Sequence, residues 1–190
     1  MRLRNILTLL CLTALISTSL AQKNVYIIET ELGDITFETY PKKAPITVKN
    51  FEAYEKKGNF DGASFYRVVR MDNQPNDSIR IEVIQGNFTA NENSMEPIEH
   101  ETNNKTKLLH KDGAVSMARS KPGTASAAFF ICINDQPSLD FGGMRNPDGQ
   151  GFAVFGQVTE GMDIVRKIQS GDTDQQTLKN PIDISRIYKK

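Results

Sequence analysis

Short runs rich in β-branched and aromatic residues, separated by turn formers, recur along the chain from Asn24 to its carboxyl end. This pattern predicts strands at Asn24–Thr30 and Asp34–Tyr40, joined across Leu32-Gly33-Asp34 as a hairpin, then at Ser64–Val69 and Ile81–Gln85. Further strands are predicted at Val115–Met117, Phe129–Ile133, Ala153–Val158 and Ile182–Tyr188. Helical spacing appears twice. Pro41 and Pro45 lead into a segment where Val48, Phe51 and Tyr54 share a face and Gly58 marks the end, and Met162, Val165 and Ile168 do the same up to about Gln169. Between the third and fourth strands, Arg70–Arg80 gathers Asp72, Asn73, Pro75, Asn76 and Asp77, the composition of a surface loop outside the sheet. Residues 86–112 are polar and aperiodic. Many short strands with two helices predict a mainly β domain built as a closed antiparallel barrel.

The first 21 residues do not fit that pattern. Arg2 and Arg4 precede an apolar run from Ile6 to Ile16, and Ser19-Leu20-Ala21 offers a small-x-small cleavage site, so a signal peptide cut before Gln22 is expected. The run is too short to be a stable membrane span, and bulky Leu10 ahead of Cys11 argues against a lipid attachment site. The domain then comprises residues 22–190, with 21 basic residues against 23 acidic, a net charge of −2 that argues against a nucleic-acid surface. Cys132 remains as the sole cysteine, so no intrachain disulfide is expected despite export, and its apolar run reads as core rather than as a nucleophile. His100 and His110 are too few and too far apart for a ligand cluster, and no calcium-loop spacing or Ser-His-Asp motif is visible, so neither metal nor cofactor is expected.

Three stretches carry polar groups that a plain core strand does not need: Phe65-Tyr66-Arg67-Val68-Val69, then Ile84-Gln85-Gly86, then Ser116-Met117-Ala118-Arg119 leading into Phe129-Phe130-Ile131-Cys132. A guanidinium, an amide and a phenyl ring on one sheet face form an apolar pocket with a hydrogen-bonding edge, which suits a proline-containing peptide. Together with Ala153-Val154-Phe155-Gly156-Gln157-Val158 and Glu160-Gly161-Met162-Asp163, these blocks, in this order, resemble the cyclophilin-type peptidyl-prolyl cis-trans isomerases over about Val25 to Tyr188. The resemblance implies eight strands closed into a barrel, a helix covering each end, and proline-containing polypeptides as substrates. It also implies that Arg67 is the donor to the turning bond, that Gln85 binds the substrate backbone, and that Phe130 floors the proline pocket. Because side chains alternate along a strand, only one of Phe129 and Phe130 can line that pocket. By the same alignment Val83, Leu139 and Phe152 form its wall, and Ala118 and Arg119 the groove along which the substrate backbone runs.

Departures accompany the match. Ala128 stands where the family often has glutamine, Ser138 where tryptophan is frequent, Arg119 where asparagine is common, and Phe152 in place of histidine; the insertion delivers Ile81 and Glu82 in a register the sequence leaves open. The Ser138 and Phe152 variants resemble bacterial members, which directs the expectation towards a periplasmic or secreted monomer assisting the folding of exported proteins. Two other classes stay in view: a proline-peptide-binding or chaperone-like module with weak or no turnover, and a carbohydrate-binding barrel, disfavoured because the chain has no tryptophan.

Overall fold

The computed structural model describes residues 24–75, 79–87 and 94–190; the predicted signal segment, its cleavage site and Cys11 lie outside them. Strands β1 (Asn24–Thr30) and β2 (Gly33–Thr39) form the first hairpin, followed by α1 (Pro45–Lys56), β3 (Ala63–Val69) and β4 (Val83–Asn87). A short α2 (Asn103–Thr106), β5 (Ala114–Met117) and β6 (Phe129–Cys132) come next, then a 3-10 turn over Pro137–Leu139. The chain ends with β7 (Ala153–Glu160), α3 (Met162–Gln169), β8 (Thr173–Asp174) and β9 (Thr177–Lys189). The strands hydrogen-bond in the order β1-β2-β7-β5-β6-β4-β3-β9, and β9 returns to β1, so eight antiparallel strands close a ring; the two-residue β8 pairs only with β9.

Closure leaves no open sheet edge within the ring and turns one side chain of each alternating pair inward. The interior is aromatic: Phe51 of α1 meets Tyr26 edge to face at 5.2 Å and stacks on Phe60 at 5.1 Å, while Phe129 meets Phe60 and Phe65 edge to face. These rings are 0 or 1% exposed, so α1 is a plug whose Val48, Phe51 and Tyr54 face the barrel, as their spacing predicts. Past Lys57, Gly58 takes the left-handed conformation (φ 65°); its N–H donates to Glu55 O, and Asn59 N–H donates to Tyr54 O, closing the helix end. The other end is capped from afar: the Glu101 carboxylate accepts hydrogen bonds from the Ile46 and Thr47 amides and the Thr47 hydroxyl. At the entry to α3, Gly161 (φ 89°) lies so close to β2 that an added Cβ would stand 2.4 Å from Asp34 O, so only glycine fits.

Three features depart from the sequence expectation. The last strand begins at Thr177 rather than Ile182, with β8 before it, because the β3 register jumps from Phe65↔Ile182 to Arg67↔Thr177 and accommodates Pro181 between. The aperiodic stretch contains α2, too short for a periodicity to show. The insertion stays outside the barrel, yet its described part is not a loose excursion. Arg70 donates to Gln169 O, Gly171 O and Thr173 Oγ1, and buried Gln74 bonds both the amide and the carbonyl of Ile81. Polar composition alone could not distinguish a free loop from one whose polar groups satisfy the ends of α3 and β4.

Candidate active site

A one-residue bulge makes the site possible. In a regular strand Phe65 and Arg67 would share a face, but against β4 they pair with the consecutive residues Gly86 and Gln85, leaving Tyr66 as the extra residue. Phe65 therefore fills the barrel while Arg67 is aimed at the outer surface, where it lines a cavity of about 490 Å³. Its guanidinium is held on both sides. Nη1 donates to Gln85 Oε1 at 2.7 Å, and Nε and Nη2 donate to Gln176 Oε1 at 3.1 and 2.5 Å. Gln85 Nε2 in turn donates to the Tyr66 hydroxyl at 2.6 Å. Burial lowers the pKa of Arg67 from its ordinary value, which leaves the group charged at any working pH but poorly hydrated and so a stronger donor.

The floor comes from β6, whose two phenylalanines separate as alternation requires. Phe129 points inward; Phe130 lies 5.4 Å from Phe152, edge to face, and stacks on His110 at 6.0 Å. Beneath it His110 Nδ1 bonds Asp140 Oδ1 at 2.7 Å and Nε2 lies 3.0 Å from Ser116 Oγ. A Ser-His-Asp constellation thus exists after all, its members 6 and 24 residues from Ser116. Ser116 is 0% exposed, so the relay fixes the underside of Phe130 and meets no substrate. On β4 and its approach, Ile81 and Val83 face the cavity with Gln85, while Glu82 turns away to accept from Asn134 Nδ2, which settles the register left open by the insertion. Leu139 and Phe152, tied by a Phe152 N–H to Leu139 O bond, close the wall.

Ala118 and Arg119 lie on the remaining side, beside Ser126 and Ala128, an edge pinned to α1 by Asn50 Nδ2 on Ser126 O. Arg119 serves the wall more than the groove. Its guanidinium is fully buried, grips Asp148 through two hydrogen bonds of 2.8 and 2.9 Å, donates to Gly151 O and covers the Phe152 ring at 5.0 Å. That grip holds the Asp148 carboxyl at a pKa of about 2. All eight residues singled out from the sequence, Arg67, Val83, Gln85, Ala118, Arg119, Phe130, Leu139 and Phe152, line this one cavity.

A family model described as "Cyclophilin type peptidyl-prolyl cis-trans isomerase/CLD" matches residues 25–189. The chain belongs to the cyclophilin-type peptidyl-prolyl cis-trans isomerases. A peptidyl-prolyl cis-trans isomerase of Acinetobacter baylyi is 35% identical over 185 residues, covering 93% of this chain and 90% of that protein. Peptidyl-prolyl cis-trans isomerase B of Escherichia coli is 34% identical over 157 residues, with 80% and 88% covered. A solved cyclophilin structure from Cryptosporidium parvum superposes with a TM-score of 0.72 over 89% of this chain and 98% of that one, at 20% identity, a likeness of fold.

Within this cyclophilin, sequence reasoning missed Gln176. It lies 109 residues from Arg67 and fell before the predicted closing strand. Thr173-Asp174 pairs with Thr177-Leu178 across Gln175-Gln176, but Asp is a poor strand former and Gln-Gln is not a recognised hairpin dipeptide, so the sequence carried little signal for this turn. Arg145 and Asn146, from the long loop before β7, also reach the cavity, and Arg145 Nη1 donates to Ile79 O. Among the described residues no group of three His, Cys, Asp or Glu side chains could hold a metal ion, and no helix is long and apolar enough to cross a membrane. Burial pushes the Cys132 thiol well above its ordinary pKa, leaving it an inert core residue.

Proposed function

We propose that this isomerase turns X-Pro bonds in polypeptides exported from the cytoplasm, with Arg67 as the group that stabilises the twisted bond. Rotation must break amide resonance, a barrier of ~18 to 20 kcal/mol, and the uncatalysed event takes tens of seconds or longer. In the twisted state the prolyl nitrogen regains a lone pair, so a donor aimed at it lowers the barrier without nucleophile or proton transfer. The observation that carries this reading is the fixed guanidinium of Arg67 at the edge of a cavity whose floor is Phe130 and whose wall is Val83, Leu139 and Phe152. Val83, Leu139 and Phe152 enclose the pyrrolidine ring, Gln85 bonds the adjacent backbone, and Ala118 leaves room for the chain on the other flank. The amino-terminal pattern of Arg2, Arg4, an apolar run and Ser19-Leu20-Ala21 supports export, and a bacterial periplasm is the compartment that the pocket variants suggest.

Turnover of an X-Pro peptide, followed by protease-coupled cleavage of the trans form or by exchange broadening of its proline resonances, tests the reading. Acceleration by purified residues 22–190 is expected. A rate left at the uncatalysed value by a folded protein that still binds the peptide would overturn it in favour of a binding module.

A further inference from the structure

Arg67 faces two cavities. Beyond it, on the side away from Phe130, a second cleft of about 700 Å³ runs between the insertion and the β8–β9 turn, within the size range of ligand sites. Its floor is half-buried or buried and held in place: Asn73 receives the Arg70 N–H and donates to Val68 O, Gln74 is clamped to Ile81, and Gln176 is bound to Arg67. Its rims, Pro75 and Thr177, are exposed. The walls therefore exist before any ligand arrives, which lowers the ordering cost of binding.

Gln176 joins the two cavities chemically. A guanidinium only donates, so the amide oxygen must face Arg67, and the NH2 of the same planar group is turned from it. That NH2 makes no hydrogen bond to any described residue. A peptide carbonyl is the acceptor such a donor fits, and on the floor beside it Asn73 keeps one N–H and one carbonyl lone pair for a further partner, while Gln74, whose two N–H groups go to Arg70 O and Ile81 O, is purely structural. We propose that a bound polypeptide continues past Arg67 into this cleft, so that residues flanking the proline on one side are held between the insertion and the β8–β9 turn. The inference deepens the reading of Arg67 as the edge of the proline pocket and rests on it: substrates are recognised over a longer stretch than the proline cavity holds.

Three fluorescent peptides test this by anisotropy titration: a tetrapeptide with a central proline, and the same core lengthened by four neutral residues at its amino or at its carboxyl end. One of the two extensions should tighten binding about fivefold to thirtyfold, equivalent to ~1 to 2 kcal/mol at ~1.4 kcal/mol per decade. That gain should shrink to less than about twofold in Thr177→Trp and in Pro75→Trp, which fill the cleft from opposite rims, with thermal melts confirming that each variant folds. The inference is overturned if neither extension tightens binding, or if the gain survives both fillings. Turnover of the tetrapeptide is measured in parallel, so loss of the isomerase reading and loss of the cleft are separate results.

Discussion

At the scale of single residues, the arginine decides the chemistry. If Arg67 bonds the prolyl nitrogen mainly in the twisted state, Arg67→Ala should lower kcat with the fold intact. A hydrogen bond from a charged donor is worth ~1.5 to 3 kcal/mol, and a decade in rate corresponds to ~1.36 kcal/mol, so a loss of about one to two decades is expected. Arg67→Lys should restore little, since an ammonium cannot reach Gln85 and Gln176 together as the planar fork does. A wild-type rate in Arg67→Ala with an unchanged melt would remove this residue from the mechanism. Phe130→Ala should weaken peptide binding as well as turnover, because it opens the pocket floor. The opposite facing of Phe129 and Phe130 was legible from alternation alone, and the cavity lining from the family blocks. The ties that hold them were not: Gln176 on Arg67 and Asp148 on Arg119 join residues 109 and 29 apart, and no local pattern encodes such pairs.

Among the elements, the insertion after β3 was readable as polar and outside the barrel, whereas its anchoring was hidden because the partners are backbone carbonyls of α3 and the residues after it. A charged side chain on the last carbonyls of a helix satisfies groups that have no acceptor role inside it and opposes the negative end of its dipole. Arg70 does this for α3 at 2.8 Å from Gln169 O, and it is only about one quarter exposed. Arg70→Ala should therefore destabilise the domain by ~1 to 2 kcal/mol after allowing for solvent screening, a fall of several degrees in Tm for a domain of this size. Arg70→Lys should recover part of it. An unchanged Tm in Arg70→Ala would mean that the bonds of Asn73 and Gln74 to Val68 and Ile81 suffice to hold the insertion. The bulge at Tyr66 belongs to the same scale: strand composition located β3 correctly but gave no sign of the extra residue that turns Arg67 outward.

For the whole molecule, two outcomes connect the sequence to its setting. Exported protein should begin at Gln22 or within a residue or two on amino-terminal sequencing; an intact Met1 or lipid on Cys11 would overturn the proposed processing. The second concerns pH. His110 is buried under Phe130, faced by Asp140, Ser116 and Phe152, and burial outweighs the Asp140 carboxylate to lower its pKa. An unfolded histidine titrates near ~6.5, so below that pH the unfolded chain takes up a proton that the folded barrel resists. Stability from this group is thus complete above about pH 6.5 and declines as pH falls from there towards the folded pKa, with a slope of at most ~1.36 kcal/mol per unit for one proton. The Arg119–Asp148 pair acts in a different window. Its carboxyl is depressed to about 2, so its contribution is present above the ordinary aspartate pKa of ~3.9 and is lost only as pH falls through the folded value. Denaturant melts between pH 7.5 and 5 therefore read the histidines, since burial also lowers the pKa of His100: the wild type should lose stability across that range, and His110→Gln, which keeps a donor towards Asp140 but cannot protonate, should reduce the slope to the part that His100 contributes, whatever its absolute stability. An equal slope in both proteins would place the titrating group elsewhere.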